Sequence, residues 1–226
     1  RLELALRAHG VNARIANAGV SGDTTADGLA RLAFTLNSQS QAPDLAIISL
    51  GGNDMLRGLS PEQTRANLET IVSELTRRKI PVVLMGMLAP PNLGADYRDK
   101  FDAIYPALAE QHHVSLVPFF LKAVIDKPDL IQADHIHPTA RGIEEIVAAT
   151  TYALIAALRA MKSAVAGAMT TNSAQRASSM CDIAFSASGS HRSLRTSRPD
   201  TAWKVMGVTN SRAPAHLVRR EIGPWF

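Results

Sequence analysis

Two unbroken apolar runs restrict the architecture of this chain more than any other feature. Asp44–Leu50 reads DLAIISL and Ile80–Met87 reads IPVVLMGM. Neither alternates apolar with polar residues, so neither suits a strand with one wet face. Each suits a strand buried on both faces, as in a parallel sheet covered by helices on either side. Weaker strand patterns cover Ala13–Ala18 and Val114–Pro118. Helical patterns separate them. One starts at Thr24 or Thr25 and runs to about Leu36, with a threonine as cap. A second follows Ser60-Pro61, serine at the N-cap and proline at the first helical position. Others cover Tyr97–Gln111, Phe119–Ile125 and a segment from Pro138 to about Met161. This strand–helix alternation predicts an α/β fold with a doubly wound parallel sheet. Such folds place their chemistry at the carboxyl ends of the strands.

Charge divides the chain. Over residues 1–160 there are 15 Lys/Arg and 17 Asp/Glu, whereas residues 161–226 hold 9 and 3. The net charge of +4 therefore belongs to the C-terminal segment, and the α/β part carries no basic bias toward nucleic acid. Periodicity also fades after Met161, where Ser, Thr, Ala and Arg dominate. Residues 1–161 are expected to form the domain, and 162–226 a Ser/Arg-rich tail, poorly ordered or non-native. The single cysteine, Cys181, allows no intrachain disulfide. No apolar run reaches the length of a membrane span, and no signal peptide is visible.

Three strand-end loops hold the candidate chemistry. In Gln132–Pro138 (QADHIHP), Asp134 precedes His137 by three residues. A carboxylate there can fold back onto the ring, hold its Nδ1 proton and leave Nε2 as a base. In Leu50–Asp54 (LGGND), two glycines allow a tight turn, and the Asn53 amide is an uncharged donor suited to a developing oxyanion. Asp54 reads as a cap of the following turn or a partner of Arg57. In Gly19–Thr25 (GVSGDTT), the Gly22 N–H is a second candidate donor. Gly19-x-Ser21 falls short of a nucleophile elbow, because Asp23 stands where glycine is required. His112-His113 and His135-x-His137 lack the partner set that a metal site needs. A flavin or nucleotide binder of similar architecture is disfavoured, since no glycine-rich phosphate loop follows a strand.

Taken in order, the segments NAGVSGDTTADGLARL (17–32), LGGNDMLRGL (50–59), MLAPPNLGADY (87–97), FDAIYPALA (101–109) and QADHIHP (132–138) resemble the SGNH (GDSL-type) hydrolases. Within that family the likeness is to the bacterial arylesterase, thioesterase I and lysophospholipase L1 group. It covers residues 1–160. The resemblance implies a flavodoxin-like three-layer sandwich around a five-stranded parallel sheet. It also implies Asp134 and His137 as acid and base of a triad, Gly22 and Asn53 as oxyanion donors, and Pro90 and Pro91 beside the acyl group. Substrates would be small acyl esters or thioesters, with no metal or organic cofactor, in a periplasmic or secreted setting.

The family carries its nucleophile in a Gly-Asp-Ser turn after the first strand, and this sequence has no Gly-Asp-Ser. The expectation is that the first strand and its serine lie upstream of Arg1. The strand's place, between the strands at 13–18 and 44–50, would then be empty. A catalytically inactive remnant that at most binds acyl ligands is the alternative.

Overall fold

The computed structural model of the chain describes residues 1–180 and 203–209, with side chains described for 1–160 and 204–207. Among these residues five strands, β1 (Ala13–Asn17), β2 (Leu45–Ser49), β3 (Val82–Met85), β4 (Ser115–Val117) and β5 (Trp203–Thr209), form one sheet in the order β1-β5-β2-β3-β4. Every neighbouring pair is parallel.

The apolar runs follow from burial on both faces. In β2, Leu45 and Ile47 enter one core with Leu6 of α1 (Leu2–Ala8) and Leu154, Ile155 and Leu158 of α7 (Ala140–Met180). Ala46 and Ile48 enter the opposite core. There they meet α2 (Thr25–Asn37), α4 (Pro61–Arg77), α5 (Ala95–Asp102) and α6 (Ile104–His112) through residues such as Leu32, Leu68, Phe101 and Tyr105. The result is the expected three-layer sandwich.

Local signals set several boundaries. Thr24 is the N-cap of α2, in a reciprocal capping box with Asp27. Ser60 caps α4, with Pro61 first in the helix. The single helix expected over 97–111 is two, α5 and α6, divided at Ala103. Pro106 has no N–H for the Asp102 carbonyl and its ring crowds that carbonyl, which breaks a continuous helix there. The helix expected at 119–125 is a series of turns instead, with Lys122 N on the Phe119 carbonyl and Val124 N on the Leu121 carbonyl. A short helix, α3 (Gly52–Leu56), follows β2. The last helix opens at Ala140, not Pro138, with the Thr139 hydroxyl accepting from Gly142 N at 3.1 Å.

The expected gap between β1 and β2 is filled. Residues 203–209, assigned from sequence to a poorly ordered tail, form β5 and pair with both neighbours, Ile15 and Leu45 standing opposite Val205. Val205 and Met206 are 1% and 0% exposed and enter opposite cores. The tail expectation is corrected here for a physical reason. An empty place in a sheet offers two rows of unpaired backbone groups, and WKVMGVT has the β-branched and aromatic content to occupy it. Lys204 N is further held by the Asp44 carboxylate at 2.9 Å. The final helix also exceeds its expected end at Met161, continuing through a proline-free, Ala-rich stretch to Met180. The remainder of the 162–226 expectation, at 181–202 and 210–226, lies outside the described residues.

Candidate active site

The carboxyl ends of β1 and β2 run into the loops that hold Gly22 and Asn53. Gly22 adopts φ +83°, a left-handed conformation that a side chain disfavours. The loop is braced from α2, where Arg31 forms an ion pair with Asp23 at 2.6 Å and donates to the Ala18 carbonyl at 2.6 Å. After β2 the chain turns at Gly51, φ +104°. A Cβ there would collide with the Tyr105 hydroxyl, which donates to the Leu50 carbonyl at 2.8 Å.

The two loops are joined. Asn53 Nδ2 donates to the Asp23 carbonyl at 2.8 Å, and Arg57 donates to the Gly22 carbonyl at 2.8 Å. A primary amide has two N–H bonds. One of them fixes the Asn53 side chain on the neighbouring loop, and the second is geometrically separate from that bond. The structure thus brings Gly22 and Asn53 together, on adjoining segments.

Behind them lies a group whose role the sequence reading missed. Asp54, 2% exposed, neither caps its own turn nor pairs with Arg57. Its carboxylate accepts from Thr25 N at 2.8 Å, Thr25 Oγ1 at 2.5 Å and Thr64 Oγ1 at 3.3 Å. Asn67 Nδ2 then donates to Thr25 Oγ1 at 3.0 Å. Thr25 is the first residue of α2, so the buried carboxylate meets the positive end of a helix dipole. Burial first, and then the Asp54 charge, push the Tyr105 phenol well above its ordinary range. These partners are 10 to 42 residues apart in sequence, and no local pattern announces them.

Asp134 and His137 occupy a different kind of structure. The 131–138 segment closes on itself: Ile131 and Pro138 form an antiparallel bridge, and Gln132 N donates to the His137 carbonyl at 2.7 Å. Inside this loop His137 Nδ1 lies 2.7 Å from Asp134 Oδ2. Asp134 Oδ1 accepts from the backbone N–H groups of Ile136 and His137, each at 3.0 Å. Burial alone would raise the Asp134 pKa. The His137 backbone and ring donors and the Ile136 N–H outweigh it and hold the carboxyl below its ordinary value. An ionised Asp134 accepts from Nδ1–H, and a neutral ring in that tautomer has Nε2 as its acceptor. His135, between them, has φ +58°, an uncommon conformation for a residue with a side chain.

The other sequence-derived candidates divide. Pro90 is buried, while Pro91 is exposed at the start of a single 3₁₀ turn, Pro91–Leu93. The Asp102 carboxylate steadies this loop by accepting from Ala89 N at 2.7 Å. Among the described residues, no three metal-ligating side chains cluster, and no helix is long and apolar enough to cross a membrane.

Comparison with known proteins gives this geometry a context. The profile of the GDSL-like lipase/acylhydrolase family matches residues 1–144. The chain is 45% identical over 134 residues to an arylesterase of Vibrio mimicus, covering 59% of this chain and 66% of that protein. It is 42% identical over 124 residues to the thioesterase 1/protease 1/lysophospholipase L1 of Escherichia coli K12, covering 55% and 59%. The chain therefore spans less than two thirds of the length of both. Among solved structures it is similar to AlinE4, an SGNH-hydrolase family esterase. The identity is 66% and the TM-score 0.58, over 70% of this chain and 83% of that one.

Proposed function

This chain belongs to the GDSL-like lipase/acylhydrolase family, and from that premise we propose that it hydrolyses carboxylic esters or acyl thioesters through an acyl-enzyme. The observation that carries the proposal is the His137 Nδ1 to Asp134 Oδ2 contact of 2.7 Å, with two backbone donors holding the carboxylate. Nε2 of His137 takes the proton of a serine hydroxyl as its oxygen attacks the acyl carbon. The carbonyl oxygen becomes an oxyanion, held by the Gly22 N–H and the second Asn53 N–H. Collapse expels an alcohol or thiol that receives the proton from His137. Water, activated by the same ring, then releases the acid. Pro91 borders the acyl group, Pro90 supports it from within, and export to a periplasmic or external compartment belongs to the same reading.

The proposal places the nucleophilic serine upstream of Arg1. One observation favours a second reading. β5 holds the place between β1 and β2, where the serine-bearing strand of the family is expected. A 226-residue chain folded in this way keeps its base and oxyanion donors without a nucleophile, and at most binds acyl ligands.

Hydrolysis of p-nitrophenyl acetate and butyrate separates the readings, measured beside His137→Ala. The 226-residue chain is expected to show no turnover above the variant. A chain extended by its upstream segment is expected to gain turnover that His137→Ala abolishes. Failure of the extended chain would leave the ligand-binding reading. Turnover by the 226-residue chain that depends on His137 would place the nucleophile within it.

A further inference from the structure

We infer that Asp54 is a positioning residue: it sets the register between the Gly22 loop and the Asn53 turn, and so the geometry of both oxyanion donors. The inference rests on the hydrolase reading for its purpose, though not for its geometry.

Gly22 and Asn53 lie on separate segments, one entering α2 and the other forming α3. Direct links between the segments come from Asn53 to the Asp23 carbonyl and from Arg57 to the Gly22 carbonyl. Arg57 is exposed, and a single exposed contact of this kind fixes little. Asp54 is next to Asn53 in sequence and buried. Its bonds to Thr25 N and Thr25 Oγ1 grip the first residue of α2, three positions beyond Gly22. Thr64 and Asn67 of α4 close the network, through Asp54 and Thr25 respectively. Three helices thus meet at one carboxylate, directly behind the donor pair.

The chemistry requires a carboxylate at this point. Asp54 accepts from three donors and donates to none. An asparagine would bring two N–H groups to a site already supplied with them. Its oxygen could serve Thr25 N. Its N–H₂ would then face Thr25 Oγ1, which already accepts from Asn67, and the Thr25 hydroxyl proton would lose its acceptor. Buried donors without acceptors are costly, so the α2 terminus and the Asn53 turn would shift apart. A negative charge so near an oxyanion site would oppose catalysis if it were unscreened. Here the N-terminus of α2 and the hydroxyl donors face it.

The test uses the full chain labelled with ¹⁵N and follows solvent exchange of the Asn53 side-chain amide and the Gly22 backbone amide. Asp54→Asn is expected to fold and to speed exchange of the Asn53 amide at least about tenfold, the free-energy equivalent of losing one hydrogen bond. Thr25→Ala, which cuts the same link from the other side, is expected to act in the same direction. It provides the decisive variant if Asp54→Asn does not fold. Folded variants in which the Asn53 and Gly22 amides exchange as in the parent would overturn the inference.

The activity arm uses whichever form of the protein turns over ester. There Asp54→Asn is expected to lower kcat about 10²-fold with KM little changed, the magnitude of losing one oxyanion donor. Adding it to Asn53→Ala is expected to cost clearly less than it does in the parent, because one of the two donors that Asp54 positions is then already gone. Full additivity would overturn the inference. If no form turns over ester, the hydrolase reading fails, and the exchange measurement still decides the role of Asp54.

Discussion

The two candidate residue pairs are built in opposite ways. The Asp134–His137 pair is local. Its bonds span two or three residues, its loop closes on itself, and both side chains keep substantial exposure, 41% and 33%. The Gly22–Asn53 pair is long-range. Its bonds cross 30 and 35 residues, and the buried network behind it crosses up to 42. A proton-relaying pair can be assembled by one turn of chain, because it needs only one carboxylate and one ring at a fixed distance. An oxyanion cradle must hold donors from two segments around a point where no protein atom sits. Only the packed body of the fold can supply that rigidity.

This contrast can be tested, beginning with the largest effect. In whichever form of the protein turns over ester, His137→Ala is expected to lower kcat by roughly 10⁶-fold, while Asn53→Ala lowers it by only about 10²–10³-fold. Steady-state kinetics on p-nitrophenyl butyrate measures both, and equal losses would mean that the pairs do not divide the work in this way. Stability should rank them in reverse. Asp54→Ala orphans buried donors and is expected to cost about 3 kcal/mol, whereas Asp134→Ala, at an exposed loop, should stay under about 1 kcal/mol. Urea denaturation of the 226-residue chain reads both. Arg57→Ala, which removes the exposed link to Gly22, is expected to change stability by less than about 0.5 kcal/mol.

The smallest effect is a titration. Asp134 has its pKa depressed in the folded state, so its contribution to stability is present above the ordinary value of 3.8 and is lost as pH falls through the lowered one. A ¹³C-carboxyl titration is expected to place its midpoint below 3.8 in the parent and nearer 3.8 in His137→Ala, where the ring donor is gone. An unchanged midpoint would mean that the backbone N–H groups alone hold the carboxylate.

What could be read in the sequence follows the same division. The Asp134–His137 contact is visible as a spacing of three. The strands β2 and β3 are visible as apolar runs, because burial on both faces removes polar residues from a contiguous stretch. The caps at Thr24 and Ser60 are visible for the same local reason. Asp54 is not, since its meaning lies in Thr25 and Thr64, 29 and 10 residues away, on two other helices. The break at Ala103 follows from Pro106, a local cause that the apolar pattern across 97–111 masks. β5 is concealed for another reason. Nothing in WKVMGVT distinguishes a central strand from a short apolar stretch in a polar segment. What selects it is the place left between β1 and β2.

That selection bears on how the protein comes into being. β5 is the last of the described strands in chain order, and its bond to Asp44 spans 160 residues. A ribosome completes β1, β2, β3 and β4 well before 203–209 leave the exit tunnel. For the 226-residue chain taken by itself, the sheet formed by then is open at its middle, with apolar edges available to any passing extended segment. Closure waits on a contact of very high sequence separation, the kind that folds slowly and leaves intermediates prone to association. The yield of the folded 226-residue chain should therefore depend on how quickly synthesis reaches β5, and on what shields the gap until it does.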